Sequence, residues 1–446
     1  MKTGENHPQI SGPLLEKKHG LASMQPIETS PWKHASLGDL SSIRYGMGQP
    51  PEQADDGVPM IRATNVKRGR ISGRGLIRIK RSAISKSRDH YLEAGDVLVV
   101  RSGAYTGDVA LVTKEWAGSV AGYDLVLSPK ESLVPAFCVF SLLSDSVQRH
   151  FKGQSNRAAQ PHLNRQQLES TTIPLPPLPE QKKIAHILST VQRAMEQQER
   201  LLATTAELKK TLLHQLFTQG IRHEPQKQID IGPVPESWEL VKLSDVCLFQ
   251  TGGTPSKQRP DYWEGNIPWV SPKDMKRPRL ADVKDHISQE ALEEGSKLAP
   301  AGSIFVVVRG MILAKDVPVA LAEVPMAINQ DMRAIIPGSR LQPAFLLYAM
   351  VALKRKLFEK VGRSAHGTMT LMSSEIADFQ IPMPDKETQQ EIASAIETVE
   401  QKHALVRRKH AALTALFRTL LHQLMTAQIR LNRLGNSILD KSKTEI

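Results

Sequence analysis

The sequence predicts an α+β fold in which two similar, mostly β modules are separated by a long antiparallel two-helix coiled coil. This arrangement is an internal repeat with pseudo-two-fold symmetry. The chain has 446 residues, more than one hydrophobic core usually organises. Its second half resembles the first at an offset near 208 residues. Two proline-free stretches also carry apolar stripes with an average spacing of about 3.5 residues, which is typical of a coiled coil.

The repeat is strongest in the segment that follows each module. An ungapped alignment of Ile173–Arg222 with Ile381–Arg430 gives 20 identities in 50 positions, and Thr211–Leu216 returns unchanged as Thr419–Leu424. The modules themselves share only isolated anchors, among them Trp32, Leu37, Asp39 and Gly46 with Trp238, Leu243, Asp245 and Gly252. The pattern indicates two diverged modules of one fold, each followed by a nearly shared segment.

The two shared segments are predicted to be long helices that pair along an apolar seam. Prolines gather at the entry, from Pro174 to Pro179, where a helix can begin, and the interior has none. About 40 residues at 1.5 Å each give a helix of roughly 60 Å. Pairing is favoured over each helix packing only on its own module, since neither stripe is buried alone. The predicted seam consists of Ile184, Leu188, Val191, Met195, Leu202, Leu212 and Leu216 with Ile392, Ile396, Val399, Val406, Leu413, Phe417, Leu420 and Leu424.

Polar residues interrupt the stripes. Gln198, Thr205, His403 and His410 occupy seam positions. We interpret the two histidines as imperfect coiled-coil packing, with a pH-sensitive or ligand-binding role as the less favoured alternative.

The predicted organisation along the chain alternates modules with helices. Short β-branched runs predict strands at 96–100, 109–112, 303–308 and 334–336, and helices are expected at 137–150 and 345–361. The predicted segments are an N-terminal extension (1–30), a first recognition module (31–177), a first spacer helix (178–222), a linker (223–236), a second recognition module (237–385), a second spacer helix (386–432) and a C-terminal tail (433–446).

Composition favours a protein that binds an anionic partner. Lys plus Arg number 58 and Asp plus Glu number 46, a formal net charge of +12, and nucleic acid is the commonest partner of such a chain. The sequence has no run of about 18 apolar residues and nothing like a signal peptide in its first 30 residues. Cys138 and Cys247 are too few for a disulfide framework or a thiolate zinc site. The cytoplasm is the expected compartment.

The sequence lacks the motifs of the enzymes that act on nucleic acids. It contains neither a phosphate-binding loop nor the Asn/Asp-Pro-Pro-aromatic tetrapeptide with which amino-methyltransferases hold the target amine. Dinucleotide, zinc-protease and serine-hydrolase motifs are also missing. Pro384–Glu387 faintly resembles a nuclease motif, but its place at a helix start favours capping. We therefore expect a binding subunit without catalytic residues, metal or bound cofactor.

The strongest chemical feature is a basic segment from Arg62 to Arg81 that contains no acidic residue. Its glycines and serines suggest a flexible loop that follows DNA phosphates, whereas a solvated charged face is the alternative. The candidate cations are Arg62, Lys67, Arg68, Arg70, Arg74, Arg78, Lys80 and Arg81, with Arg101 further along; the second module has a weaker set in Lys273, Lys276, Arg277 and Arg279, and Arg309 and Arg363 lie elsewhere.

Polar side chains near the basic residues are candidates to contact base edges. Asn suits adenine, Arg suits guanine, and hydroxyls suit either. Each of them is individually more often a turn or cap residue. The candidates are Asn65, Gln160, His162 and Asn164 in the first module and Ser271, Asp274, Ser364, His366 and Thr368 in the second.

The duplicated plan resembles the specificity subunit of type I restriction–modification enzymes. The resemblance covers roughly residues 31–430 and depends on the entry motif Ile173–Ala185 together with the exit motif Leu212–Arg222. The second entry motif departs from this pattern, because it lacks the second proline pair and the Glu. The resemblance implies two target-recognition domains that read the two halves of an asymmetric, split DNA sequence. It also implies that the helices act as spacer and docking surface.

The same resemblance implies partner subunits that carry the chemistry. Two modification subunits would methylate adenine with S-adenosylmethionine, and two restriction subunits that use ATP and Mg²⁺ would optionally join them. Two other function classes stay open. A self-sufficient DNA-modifying enzyme would transfer methyl groups as a purified chain, and a coiled-coil adaptor would have no DNA contact of its own.

Overall fold

The computed structural model describes residues 32–48, 52–84, 90–155, 162–364 and 367–431. The predicted N-terminal extension and C-terminal tail, together with the candidates Gln160 and His366, lie outside these residues. The chain divides into two compact units: residues up to 193 with those from 413 onward, and residues 194–412. Each unit therefore combines one module with a part of both long helices, so the units do not coincide with the segments expected along the chain.

The first unit is built from short strands and helices. Its strands are β1 (Lys33–Ser36), β2 (Ser41–Tyr45), β3 (Gln53–Ile61), β4 (Val66–Lys67), β5 (Arg70–Ile71), β6 (Ile77–Ile79), β7 (Val97–Val99), β8 (Val109–Leu111), β9 (Val120–Ala121), β10 (Leu125–Pro129) and β11 (Thr172–Leu175). Its helices are α1 (Leu37–Leu40), α2 (Pro135–Leu143), α3 (Asp145–Ser155) and α4 (Arg165–Glu169), and the long helix α5 (Leu178–Gln219) begins in it.

The central sheet of the first unit has the order β2-β10-β7-β8, with antiparallel neighbours. A second sheet has the order β6-β3-β9, in which β3 and β9 run parallel. Strand β1 pairs with β11, so the start of the module closes against the strand that leads into α5. Leu125, Leu127 and Phe137 are completely buried in the main core, because the apolar faces of the sheet and α2 pack together.

The second unit repeats this plan with added strands. Its strands are β12 (Gln226–Ile229), β13 (Gly232–Pro235), β14 (Glu239–Lys242), β15 (Cys247–Thr251), β16 (Ile267–Val270), β17 (Arg279–Leu280), β18 (His286–Ile287), β19 (Leu298–Ala299), β20 (Ile304–Val307), β21 (Val319–Ala322), β22 (Met326–Ile328), β23 (Met332–Pro337), β24 (Gly362–Arg363), β25 (Met369–Thr370) and β26 (Gln380–Met383). Its helices are α6 (Leu243–Val246), α7 (Gln289–Gly295), α8 (Pro343–Ala352), α9 (Lys354–Glu359) and α10 (Ser373–Ala377), followed by the long helix α11 (Lys386–Met425).

The sheets of the second unit match those of the first. The order β15-β23-β20-β21-β17 corresponds to β2-β10-β7-β8, and β18-β16-β22-β19 corresponds to β6-β3-β9. The parallel pair in the first unit, β3 with β9, reappears in the second as β16 with β22. The predicted strands at 96–100, 109–112, 303–308 and 334–336 are confirmed by β7, β8, β20 and β23.

The two long helices pack against each other in opposite directions. In the second unit Thr205 of α5 hydrogen-bonds His403 of α11 at 2.8 Å, and further along α5 Lys209 pairs with Glu400. In the first unit Leu188 and Leu424 share one apolar core, and no predicted seam residue in either helix is exposed. The antiparallel pairing is confirmed, and the buried polar residues Gln198 and Thr205 explain the gaps in the apolar stripe.

A repeated glutamine fastens the start of each long helix to its module. Gln181 accepts a hydrogen bond from the backbone N–H of Val134 at 2.8 Å, and Gln389 accepts one from Gln342 at 2.9 Å. Each side-chain amide also donates to two backbone carbonyls of the same region. The identity of these two positions in the repeat therefore has a structural cause.

Two predictions about local structure are wrong. The helix expected at 137–150 is two helices, because Ser144 adopts an extended conformation (φ −63°, ψ 149°) between them. The helix expected at 345–361 divides at Leu353, which leaves the helical region. The segment expected as a linker, 223–236, contains the β12–β13 hairpin.

Candidate nucleic-acid interface

Three side chains meet at one end of the central sheet of the first unit. Leu125 of β10 pairs with Tyr45 on one side and Val99 on the other, so the ends of β2 and β7 and the start of β10 are neighbours. Arg101 follows β7, and Tyr123 precedes β10. The guanidinium of Arg101 lies 4.7 Å from the ring centre of Tyr45 and 4.3 Å from that of Tyr123. Both tyrosines are exposed, at 43% and 54%.

His162 is a hydrogen-bond partner of this arginine. Nη2 of Arg101 donates to Nε2 of His162 at 2.9 Å. A guanidinium has no acceptor, so Nε2 must be unprotonated and the ring proton sits on Nδ1. Burial and, secondarily, the charge of Arg101 lower the pKa of His162 from its ordinary value. The backbone holds the pair in place, since Leu163 donates to the carbonyl of Arg101 at 2.7 Å.

A buried carboxyl supports the same corner. Oδ1 of Asp124 accepts the backbone N–H of Arg101 at 3.3 Å. Burial raises the pKa of Asp124 to about 6, and the hydrogen bond and the charge of Arg101 offset only part of that effect. Asp124 therefore contacts the backbone of Arg101 and leaves the positive guanidinium facing the tyrosines.

The basic segment is an ordered hairpin, and the expectation of a flexible loop is wrong. Arg68 and Gly69 both have positive φ, +43° and +96°, and close the turn between β4 and β5. Gly69 exchanges backbone hydrogen bonds with β8, and the side-chain amide of Gln192 in α5 donates to the carbonyl of Arg68 at 3.1 Å. The glycine-rich composition therefore serves a tight, docked turn.

Asn65 holds this segment together from inside. Its side chain is 0% exposed, donates to the carbonyls of Ser72 (2.9 Å) and Arg74 (3.1 Å), and accepts the backbone N–H of Arg62 (3.1 Å). The prediction that Asn65 contacts a base edge is wrong, because its hydrogen-bonding groups are used inside the protein. Asn164 likewise caps α4 by accepting the backbone N–H of Gln167 at 2.8 Å.

The cations of the basic segment divide into two groups. Arg62, Arg78 and Lys80 have protein partners, namely the carbonyl of Gly75, the carbonyl of Gly57 and the carboxylate of Glu52. Arg70 is half-buried. The side chains that remain exposed and keep their predicted role as phosphate contacts are Lys67, Arg68, Arg74 and Arg81.

The second module uses the same turn with different residues. The turn after β16 is closed by Asp274, whose Oδ2 accepts the backbone N–H (3.0 Å) and hydroxyl (2.8 Å) of Ser271. Asn65 and Arg62 form the equivalent box after β3. Ser271 and Asp274 thus have a structural role in the turn, and their predicted contact with bases stays a prediction.

Two predicted cations of the second module are also engaged within the protein. Lys273 pairs with Asp285, a contact that raises the pKa of Lys273. Arg279 of β17 pairs with Glu397 of α11 and lies 3.7 Å from Glu323. Arg279 therefore joins the module to the long helix and is not available for DNA. Lys276 and Arg277 remain exposed.

Arg309 lies at the same end of the second sheet, one position beyond the counterpart of Arg101. It follows β20, the equivalent of β7, and its bridge with Thr370 matches the bridge of Ser102 with His162, so Val308 takes the place of Arg101. Arg309 is exposed, and its charge adds to burial in lowering the pKa of nearby Arg333. The β24–β25 hairpin beside it carries the remaining candidates Arg363, Ser364 and Thr368, and the backbone of Ser364 donates to Thr368 at 2.8 Å. These residues form a second cationic sheet end.

Two other structural searches concern the described residues alone. Among them no group of three or more His, Cys, Asp or Glu side chains is placed to hold a metal ion. The helices within the described ranges include none with the length and apolar character needed to cross a membrane. The segment Pro384–Glu387 is a helix cap, since Asp385 accepts both the backbone N–H and the hydroxyl of Thr388.

The duplicated fold defines a class of proteins in which two related modules are joined by a pair of long helices. The chain belongs to the family of the type I restriction modification DNA specificity domain. The sequence model of this family matches residues 29–204 and 235–415. Both copies of the repeat are matched.

Individual relatives carry the same description. The chain is 33% identical over 227 residues to the specificity subunit of the Escherichia coli type I restriction enzyme EcoR124I/EcoR124II, covering 50% of this chain and 54% of that protein. The chain thus spans about half the length of this relative. It is 22% identical to the MjaVIII specificity subunit of Methanocaldococcus jannaschii over 91% of this chain and 94% of that one. The crystal structure of the type I S subunit from M. genitalium shares the fold, with a TM-score of 0.60 at 14% identity over 89% and 97% of the two chains.

Proposed function

We propose that this chain reads the two halves of an asymmetric, bipartite DNA target while other subunits carry out the chemistry. The observation that carries the proposal is the composition of each unit: one recognition module together with opposite ends of the same two helices. A helix pair shared in this way fixes the spacing between the two half-sites. The chain itself contributes recognition, and no catalytic residue, metal or cofactor of its own is part of the proposal.

The register of the helix pair supports its role as a spacer. Thr205 meets His403 and Lys209 meets Glu400 in the second unit. In the first unit Arg430, just past the end of α11, pairs with Glu180 of α5 at 2.9 Å. Because the two helices are antiparallel, residues later in α5 pair with residues earlier in α11. Such specific polar contacts within a seam fix its register, as a buried polar residue does in other coiled coils.

Divergence at the two sheet ends supports an asymmetric target. Gly46 and Gly252 pack in the same way, because a Cβ at either would lie 2.1–2.2 Å from a backbone oxygen, of Gly122 or of Asn329. The neighbours of these matched positions differ, with Tyr45 and Tyr123 in the first module and Thr251 and Gln330 in the second. Different side chains at equivalent positions read different bases.

The partners are inferred from the family and from the outer faces of the helices. We infer that two modification subunits dock on the chain and methylate one adenine in each half-site with S-adenosylmethionine. Two restriction subunits that use ATP and Mg²⁺ are optional additions, and the cytoplasm is the compartment in which such a complex meets chromosomal DNA. Leu208 and Leu405 lie outside the seam and are 50% and 53% exposed, so they are candidates for the docking surface.

Purified components test this proposal directly. A complex of the chain with its modification subunit is expected to shift a duplex that carries the bipartite target and to methylate it. The modification subunit alone is expected to do neither. Methyl transfer by the chain alone would favour the self-sufficient enzyme. A complex that forms but binds all duplexes no better than the modification subunit alone would favour the adaptor.

A further inference from the structure

We propose that Arg101 reads a guanine in the half-site bound by the first unit, with His162 as its positioning residue. This inference rests on the proposed function and goes beyond it by assigning one base contact to one side chain. Four residues from separate strands and loops carry it: Tyr45, Arg101, Tyr123 and His162.

The guanidinium of Arg101 is fixed in orientation before DNA arrives. Tyr45 and Tyr123 both have ring centres within 5 Å of its central carbon, so two cation–π contacts restrict where the group can lie. The hydrogen bond from Nη2 to His162 restricts its rotation as well. An arginine held in this way loses little conformational entropy when it binds, so its contact is worth more than that of a mobile side chain.

Hydrogen-bonding capacity of this arginine is also left for an external acceptor. Among the described residues no carboxylate forms a direct ion pair with the guanidinium; Asp124 accepts the backbone N–H, and its charge interacts with that of Arg101 only through space. The two tyrosines are half exposed, so the cluster sits at the surface. The N–H groups of Arg101 that do not bond His162 are therefore free to meet an acceptor from outside the described residues.

The geometry favours a base edge over a phosphate. A phosphate contact needs positive charge within reach, and the exposed cations of the basic segment already supply that. A guanine presents two acceptors, O6 and N7, in one plane. Because Nε of Arg101 is buried and Nη2 already donates one N–H to His162, the guanidinium would face both acceptors with its Nη1 and remaining Nη2 hydrogens. The two tyrosine contacts and the histidine bond together restrict the orientation of the guanidinium, and a restricted orientation selects one base edge among several.

The second module provides an internal comparison. Val308 stands at the position of Arg101, and Arg309 follows it as an exposed arginine at the same sheet end, where Thr251 and Gln330 replace the two tyrosines. Arg309 therefore serves as a control for the loss of one positive charge at a sheet end without the two tyrosines. Removal of Arg309 is expected to leave the first half-site unchanged.

The test compares Arg101→Gln with Arg309→Gln in the complete complex with the modification subunit, by sequencing methylated adenines in cellular DNA. Arg101→Gln is expected to relax one G·C position of one half-site, with a loss of discrimination of about 10- to 100-fold in competition binding. The other half-site and the gap are expected to stay as in the wild type. Arg309→Gln is expected to leave that G·C position intact.

Two outcomes separate failure of this inference from failure of the proposed function. If Arg101→Gln weakens all duplexes equally and both half-sites persist, Arg101 contacts a phosphate and the inference is overturned. If the wild-type complex shows no bipartite target, the proposed function itself fails. A variant that does not fold would be recognised by its thermal transition, and Arg101→Lys then provides the second variant, with the same expected relaxation because lysine lacks the planar fork.

The positioning role of His162 has its own readout in pH. Protonated His162 no longer accepts from Arg101, so discrimination at the guanine is expected to fall in the wild type as the pH drops and the ring becomes protonated. Asp124, whose pKa is raised to about 6, titrates at the same corner. His162→Gln keeps an acceptor that does not titrate, so the pH dependence that remains in this variant comes from Asp124, and the difference between the two pH profiles reports His162. An unchanged pH profile in His162→Gln would overturn the role of His162.

Discussion

Matched duplication of four residues in both long helices should lengthen the gap in the DNA target. The structure pairs Thr205 with His403, so the matching segments are 205–208 in α5 and 401–404 in α11. Tandem duplication of both segments inserts a second Thr–His layer and keeps the flanking contacts, such as Lys209 with Glu400, in register. Four residues in a heptad pattern form a stutter, which a coiled coil accommodates by local unwinding.

The size of the expected change follows from helix geometry. Four residues add about 6 Å of length and a net rotation of about 40°. With about 3.4 Å per base-pair step, the added length corresponds to between one and two base pairs. Both half-sites are expected to stay unchanged, because the duplication touches neither sheet end.

Sequencing of methylated adenines in a host that expresses the variant with its modification subunit provides the assay. A duplication in α5 alone is the control, because it moves Thr205 or Lys209 out of register with α11 and should destabilise the protein. The reasoning is refuted if the doubly duplicated protein methylates the original target with its original gap, or if a half-site changes its sequence.

Other predictions concern the basic hairpin, the buried carboxyl and a packed glycine. Replacing Lys67, Arg68 and Arg74 together with alanine should weaken binding to all duplexes and make the slope of log K against log salt shallower by up to about 3; an unchanged slope would mark a solvated face. The pKa of Asp124 is raised from 3.8 to about 6, so its carboxylate costs stability at neutral pH and this cost disappears as the pH falls below about 4. Asp124→Asn should therefore raise the free energy of unfolding at pH 7 by up to about 3 kcal/mol and leave it unchanged at pH 4. Chemical denaturation at the two pH values measures this, and a variant less stable than the wild type at pH 7 would contradict it. Gly46→Ala should lower the free energy of unfolding by about 1–3 kcal/mol or more, because its Cβ would lie 2.1 Å from the oxygen of Gly122; Gly48→Ala, with nothing within 4 Å, should change thermal stability far less.

The long helices and the repeat were predictable from sequence because their causes are local and periodic. An apolar stripe recurs every three or four residues whatever the rest of the chain does, and the prolines before Leu178 mark where a helix can begin. The polar seam positions Gln198 and Thr205 are buried in the structure, and none of the predicted apolar seam residues is exposed. Element boundaries in the modules were less accurate, since single residues such as Ser144 decide them.

The base-reading candidates were harder to predict because polar residues also build turns. Asn65, Ser271 and Asp274 have the right chemistry for a base edge, but each closes a turn with its own neighbours. Residue type alone does not distinguish a base contact from a turn contact. The spacing of three residues does, because the side chain at the third position of each short helix accepts a hydrogen bond from the backbone N–H of the residue that precedes the helix. The DNA contacts of the exposed cations stay predictions.

The aromatic stack on Arg101 was missed because sheet register creates it. Tyr45, Arg101 and Tyr123 are far apart in sequence and meet only when β2, β10 and β7 align. The sequence did contain an indication of this cluster. Tyr45 directly precedes the repeated anchor Gly46, and Arg101 follows a strand that recurs in the second module before Arg309.

The measurement that most directly tests two independent readers on one spacer is the methylation target of a chimera. In it, residues 237–385 are replaced by a second copy of residues 31–177, and the methylated adenines are sequenced in a host that supplies the modification subunit. The account predicts a symmetric target in which the first half-site appears twice, as an inverted repeat across the gap. A target that keeps the original second half-site, or that loses its two-part form, would contradict it.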